Sequence, residues 1–231
     1  MKKVLIFSLM SLVLASCNET IKGDGVIVNE SREMNQFDVL STSGIFTIEL
    51  REGEPRVEIR TDQNLMEHIV TEVKGEELVI SSNNKHLDSE VMEIVVYYVN
   101  LEEIEIAGAV EIYSPETIDG KSLEIEISGA GEAELDLRLE KFEVNVSGGA
   151  EISLSGYANE ANYDLTGAAE IRAFNLQTSV ANIDIAGASD LEVNVSDKLN
   201  VDIAGAGEVK YIGDPVVNKD ITGAGELVKV K

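Results

Sequence analysis

Acidic side chains recur at fixed places in the second half of this chain. Seven glycines, Gly108, Gly129, Gly148, Gly167, Gly187, Gly205 and Gly223, follow one another at intervals of 21, 19, 19, 20, 18 and 18 residues. Three residues after them stand Glu111, Glu132, Glu151, Glu170, Asp190, Glu208 and Glu226. Three residues before them stand Glu105, Glu126, Asn145, Asp164, Asp184, Asp202 and Asp220. Stacked in register, each set becomes a column of carboxylates about 4.8 Å apart. Neighbouring unit charges at that spacing repel by roughly 0.9 kcal/mol in bulk water. Oxygen ligands in such a row suit a hard divalent cation, Ca²⁺ above all, or a basic partner laid along it. The same charges also keep exposed strand faces from adhering to other chains, and that plainer role is the favoured reading.

Enzyme chemistry finds little support. The two histidines, His68 and His86, have no neighbouring residues arranged as a metal site or proton shuttle. Ser43-Gly44 and the serines of the repeats lack a nucleophile elbow or a local histidine base. No glycine cluster follows a phosphate-loop or dinucleotide pattern. Gly-Ala-Gly-Glu pieces at 129, 205 and 223 lack the Gly-Gly-x-Gly-x-Asp series of calcium β-rolls. Acid pairs that could cleave a glycoside abound, but 43 acidic residues make such pairs inevitable. Tryptophan, the usual sugar platform, is absent, and six tyrosines remain as contacts or filler. No cofactor is expected.

The elements that would hold the acidic columns are legible in the same repeats. Two residues before each glycine sits an aliphatic residue: Ile106, Ile127, Val146, Leu165, Ile185, Ile203 and Ile221. Four residues after it come Ile112, Ala133, Ile152, Ile171, Leu191, Val209 and Leu227. Both sets predict columns facing a shared interior, with a run of Gly, Ala and Ser where the coil bends. One repeat buries too little apolar surface to stand alone, while seven stacked repeats share a core. The expected fold is therefore all-β, a right-handed parallel β-helix over about 101–231. Lys219 and Lys229 replace apolar residues in the last repeat, as a polar end requires.

Residues 25–100 read as a β-rich head. Alternating apolar residues mark strands at 25–28, 37–40, 45–50, 57–59, 70–73, 78–80 and 94–99. Asp62-Gln63-Asn64 before Leu65-Met66 predicts the cap of a single helical turn. Ahead of the head, Lys2-Lys3 and a 12-residue apolar run to Ala15 form a leader too short to span a bilayer. Leu14-Ala15-Ser16-Cys17 resembles the lipobox of bacterial lipoproteins, which implies cleavage before Cys17 and its lipidation. Residues 1–17 are then a signal peptide ending at the lipidated cysteine, and 18–24 a polar tether. Cys17 is the only cysteine, so an exported body would fold without disulfides.

The formal net charge is −25, with 44% hydrophobic residues. That hydrophobic fraction, in a regular pattern, excludes acidic disorder. The charge excludes nucleic acid as a partner, since phosphate binding needs Lys and Arg.

With these residues in view, the chain resembles the head GIN domain family, bacterial lipoproteins of the Bacteroidetes described as auto-transporter adhesins. The resemblance is carried by Phe37-Asp38-Val39, Ser43-Gly44-Ile45-Phe46-Thr47-Ile48-Glu49-Leu50, Val57-Glu58-Ile59, Asn64-Leu65 and Leu78-Val79-Ile80, then by the Gly-Ala repeats. It spans about 25–231, with Gly44-Ile45-Phe46 where the family name has Gly-Ile-Asn. It implies a β-rich head leading into a parallel β-helix, and carries over no binding residues. The leading functional expectation is a non-enzymatic cell-envelope lipoprotein, anchored in the outer membrane, that binds a polysaccharide or a protein. A periplasmic scaffold or sensor component is the second reading, and a glycan-active enzyme the third.

Overall fold

The computed structural model describes residues 20–83 and 85–231. Cys17 and the leader lie outside the described residues. The body is a β-solenoid of about seven turns. Its long strands, Ala130–Val146, Gly149–Leu165, Ala168–Ile185 and Asp190–Ile203, each bend around most of a coil and pair parallel with the next. Shorter strands, among them Glu103–Ile106, Ala109–Tyr113, Val216–Ile221 and Glu226–Lys229, extend the stack at either end.

The two aliphatic columns face inward as the repeats require. Ile106, Ile127, Val146, Leu165, Ile185 and Ile203 are buried, as are Ile112, Ile152, Ile171, Leu191 and Val209. Ile221 and Leu227 in the last coil are only partly covered, because no further coil lies over them. Alternation breaks where two consecutive residues point out, at Glu140-Lys141 between buried Leu139 and Phe142. Asn159-Glu160 repeats that corner one coil later, between buried Ala158 and Ala161. Core volume is traded between neighbouring columns. Phe142 stacks in register with Ala161 and Ala181, and these alanines make room for Tyr163, whose ring meets Phe142 edge-on with centroids 6.5 Å apart.

The glycine column is fixed by backbone contact. Each residue after a column glycine donates its N–H to the carbonyl of the glycine one coil back, as in Ala130 to Gly108 (2.8 Å), Gly149 to Gly129 (3.0 Å) and Ala168 to Gly148 (3.0 Å). A Cβ on Gly129, Gly148, Gly167, Gly187 or Gly205 would collide with the same carbonyl oxygen. At these five positions the requirement is close approach of two backbones, because none has a positive φ.

The sheet is continuous across residue 100. Val39–Ser43 pairs parallel with Glu103–Ile106, and Ile45–Glu52 with Ala109–Tyr113. Gly44 therefore opens the glycine column beneath Gly108, and a first coil lies inside the head region. Farther from the repeats, pairing turns antiparallel. Arg56–Asp62 lies between Glu93–Tyr98 and Ile27–Glu33, and Val70–Lys74 pairs with Glu77–Ser81. Arg32 reaches across the end of the head, donating to the Ile69 carbonyl (2.8 Å) and Thr71 Oγ1 (3.0 Å).

The predicted helical turn is a 3-10 turn, Met66–His68, without a side-chain cap. Asp62 and Asn64 serve the N-terminal segment instead. Gly25 N–H donates to Asp62 Oδ1 (2.6 Å), Asp24 N–H to Asn64 Oδ1 (3.0 Å), and Asn64 Nδ2 to the Lys22 carbonyl (2.7 Å). Thr20–Lys22, within the polar stretch after Cys17, is a strand paired with His86–Asp88. His86 thus sits in a short strand.

These contacts separate two adjacent glycines. Gly148→Ala should lower stability by about 1–3 kcal/mol, because the Gly129 carbonyl has nowhere to retreat. Gly149→Ala should change it by less than about 0.5 kcal/mol, since its added methyl meets only the Ala168 oxygen at 3.9 Å. Urea unfolding of both variants checks the contrast.

Candidate functional site

The solenoid brings each sequence-read carboxylate column together. Glu111, Glu132, Glu151, Glu170, Asp190, Glu208 and Glu226 pair in register on successive coils, continuing from Thr47 in the head. Glu105, Glu126, Asn145, Asp164, Asp184, Asp202 and Asp220 do the same, continuing from Ser41. Between them run the glycine corner and its flanking small residues, so the columns lie on either side of one bend.

The column after the glycines is partly neutralised by its own neighbours. Arg172 bridges two coils, with nitrogens 2.6 Å from Glu151 and 2.5 Å from Glu170. Lys210 lies 2.8 Å from Glu208. Arg172 thus holds two carboxylates together at the middle of the column, the task a bridging metal ion would otherwise perform, and Lys210 neutralises one near its far end. Near the head the same face borders a groove of about 510 Å³, where Glu111, Glu132 and Glu151 adjoin Ile45, Leu87 and Met92.

A third column, five residues before the glycines, escaped the sequence reading. Glu103, Glu124, Glu143, Asn162, Asn182, Asn200 and Asn218 pair in register. Its second half is an amide ladder. Asn218 donates to Asn200 Oδ1 (2.9 Å), Asn200 to Asn182 (2.6 Å) and Asn182 to Asn162 (2.8 Å). The signal lies in the same alignment, as Asn-x-Asp at 162, 182, 200 and 218, two residues upstream of the acidic column that precedes the glycines. This ladder and the adjoining aspartates line an open groove of about 780 Å³, with Lys141 and Glu143 at one end and Lys219 near the other.

The first half of that face is glutamate. Oxygens of Glu103, Glu105 and Glu126 lie within 4.8 Å of one another, with the first two half-buried and the third exposed. They are the residues best placed to share a cation, although Ca²⁺ takes six to eight oxygens and would need water for the remainder. Partial burial, and then the charges of Glu105, Glu124 and Glu126, raise the Glu103 pKa. Partial burial, and then Glu143 and Glu126, raise that of Glu124, against the opposing pull of Lys141 and a hydrogen bond from Asn145. Glu143 moves the other way, held low by the hydrogen bond from Lys141.

His68 and His86 join no such cluster among the described residues: His68 Nδ1 lies 3.5 Å from Lys85 Nζ, while His86 pairs through its backbone with Thr20. Among the described residues, no helix is long and apolar enough to cross a membrane.

Comparison with known proteins agrees with this architecture. The family described as "Putative auto-transporter adhesin, head GIN domain" matches residues 36–215, and the chain belongs to that family. A structure titled as a putative adhesin from Bacteroides fragilis NCTC 9343 is 20% identical with a TM-score of 0.85, covering 91% of this chain and all of its own. Another, titled as a putative adhesin from Parabacteroides merdae ATCC 43184, is 23% identical with a TM-score of 0.72, covering 92% of this chain and 99% of its own. A third, titled as a putative lipid binding protein from Parabacteroides distasonis ATCC 8503, is 25% identical with a TM-score of 0.73, covering 92% of this chain and all of its own. No curated protein matches the chain. The family and these neighbours carry adhesin and binding names, not enzyme names.

Two solution tests follow from the columns. A raised carboxyl pKa means that the contribution of Glu103 and Glu124 to stability is fully present below the unfolded value and is lost as pH rises through the folded one. Glu103→Gln with Glu124→Gln should therefore raise the melting temperature at neutral pH, and the gain should shrink as acidification protonates the two carboxylates. For the columns as a whole, NaCl should raise the melting temperature by screening repulsion. Ca²⁺ at matched ionic strength should add nothing further. A Ca²⁺-specific rise removed by Glu132→Gln would instead assign the outer glutamate column to cation bridging.

Proposed function

We propose that this head GIN protein is a non-enzymatic binding protein of the bacterial cell envelope, of adhesin type. A lipid on Cys17 would hold it to the outer membrane, and the outward columns of the solenoid would meet a polysaccharide or protein. The observation that carries this reading is that the polar columns beside the glycine bend keep register from coil to coil, laid over a core closed by aliphatic side chains. Such a body offers a stiff, repetitive, open face, which suits an extended partner better than a small substrate enclosed in a pocket. The segment after the lipid attachment point is pinned to the head by Asp62 and Asn64, which supports an anchored head with the repeats projecting from it.

Protease shaving and antibody labelling of intact cells test the exposure, with a known periplasmic protein as control. The expected outcome is cleavage and labelling while the control stays protected. Protection until the outer membrane is broken would remove adhesion and favour a periplasmic scaffold with a protein partner. Cys17→Ala should abolish incorporation of labelled fatty acid and move the protein from the membrane to the soluble fraction.

A further inference from the structure

We propose that the Asn-x-Asp face of the last four coils binds an uncharged, hydroxyl-rich polysaccharide lying along the solenoid axis. This rests on the reading of the chain as an envelope binding protein, and names the face and the class of ligand.

The face has a composition of its own. From Asn162 to Asp220 each coil presents an amide and, two residues on, a carboxylate. Alternate residues of a strand point the same way about 7 Å apart, and coils repeat about every 4.8 Å. The result is a regular lattice of amides beside acids in an open groove of about 780 Å³. In the preceding coils these positions are mostly longer glutamates, whereas the groove is lined chiefly by the shorter Asn and Asp side chains.

The hydrogen-bonding capacity left over is specific. Asn182 and Asn200 each use one N–H toward the preceding coil and one oxygen lone pair toward the following one, and Asn182 also donates from Nδ2 to Glu160 (3.2 Å). The second N–H of Asn200 and the second lone pair of both amides remain, in an orientation the ladder has already fixed, so little rotamer entropy is lost on binding. None of Asp164, Asp184, Asp202 and Asp220 forms an ion pair among the described residues, in contrast to the Arg172-clamped glutamates on the other side of the bend. A carboxylate accepting from one hydroxyl beside an amide donating to the next oxygen is the pair a sugar diol requires. A basic peptide would use the acids and leave the amide row idle. Five acids against two lysines line the groove, which disfavours uronate, sulfate and phosphate polymers.

The test uses the full-length lipoprotein in detergent, applied to an array of immobilised uncharged, uronate and sulfated glycans beside poly-lysine. Retention on at least one uncharged glycan is expected. Asp184→Asn with Asp202→Asn preserves side-chain shape and should weaken that binding about tenfold or more, with the melting transition retained. Asn182→Ala with Asn200→Ala should weaken it similarly, and Glu132→Gln with Glu151→Gln, on the other face, should leave it unchanged. Binding to no uncharged glycan overturns the proposal, as does binding to poly-lysine alone. Glycan binding that survives both groove variants also overturns it. None of these results alters the envelope reading, which cell-surface accessibility judges separately.

Discussion

The structure depends on one backbone contact repeated along its axis: a glycine carbonyl accepting the N–H that follows the next coil's glycine. This bond carries the parallel ladder through a bend, where ordinary strands would lose pairing. It is possible only because the stacked residues have no Cβ, since any side chain would occupy the acceptor's place. Once the corner is fixed, the flanking positions follow. The aliphatic residues two before and four after it are turned inward, and those three before and three after are turned to solvent.

That geometry forces like charges into register. A chain of net charge −25 that stacks its acids every few ångströms carries a recurring electrostatic cost. The protein meets it with local devices. Arg172 clamps Glu151 and Glu170, Lys141 hydrogen-bonds Glu143, and Asn145 replaces an acid in its column and donates to Glu124. Where one column changes from glutamate to asparagine, repulsion gives way to a chain of hydrogen bonds. The remaining surplus of acid is concentrated on outward faces, where water and salt screen it.

A solid core also directs attention to the surface. Because the interior columns are filled by their own side chains, recognition by this fold belongs to the outward residues. The two faces beside the glycine bend differ chemically. One is a glutamate column with built-in cations, bordered by apolar head residues. The other grades from glutamate into an amide–carboxylate lattice. The head contributes the first coil and an antiparallel end that ties down the N-terminal segment.

Much of the fold was determined by the sequence alone, because a solenoid writes its contacts into a period. The glycine interval, the aliphatic columns and the acids flanking each bend all follow from the spacing of Gly108 to Gly223, and the strands of the head from alternating apolar residues. Four features needed the tertiary structure. Gly44 stands 64 positions before Gly108 and carries Thr42 in the inward position, so its place in the glycine column appears only when the coils stack. Asp62 and Asn64 stand where a helix cap would stand, but their side chains bind a segment about 40 residues away. Arg172 pairs with Glu151 because the coil sets it beside Ser153, from where it reaches diagonally to the glutamate two positions along that strand. The asparagines at 162, 182, 200 and 218 recur with the repeat, but that their amides bond one to the next is decided only by the stacked register. Periodicity fixes which residues share a column, whereas the partners a side chain finds across coils depend on distances that only the closed backbone sets.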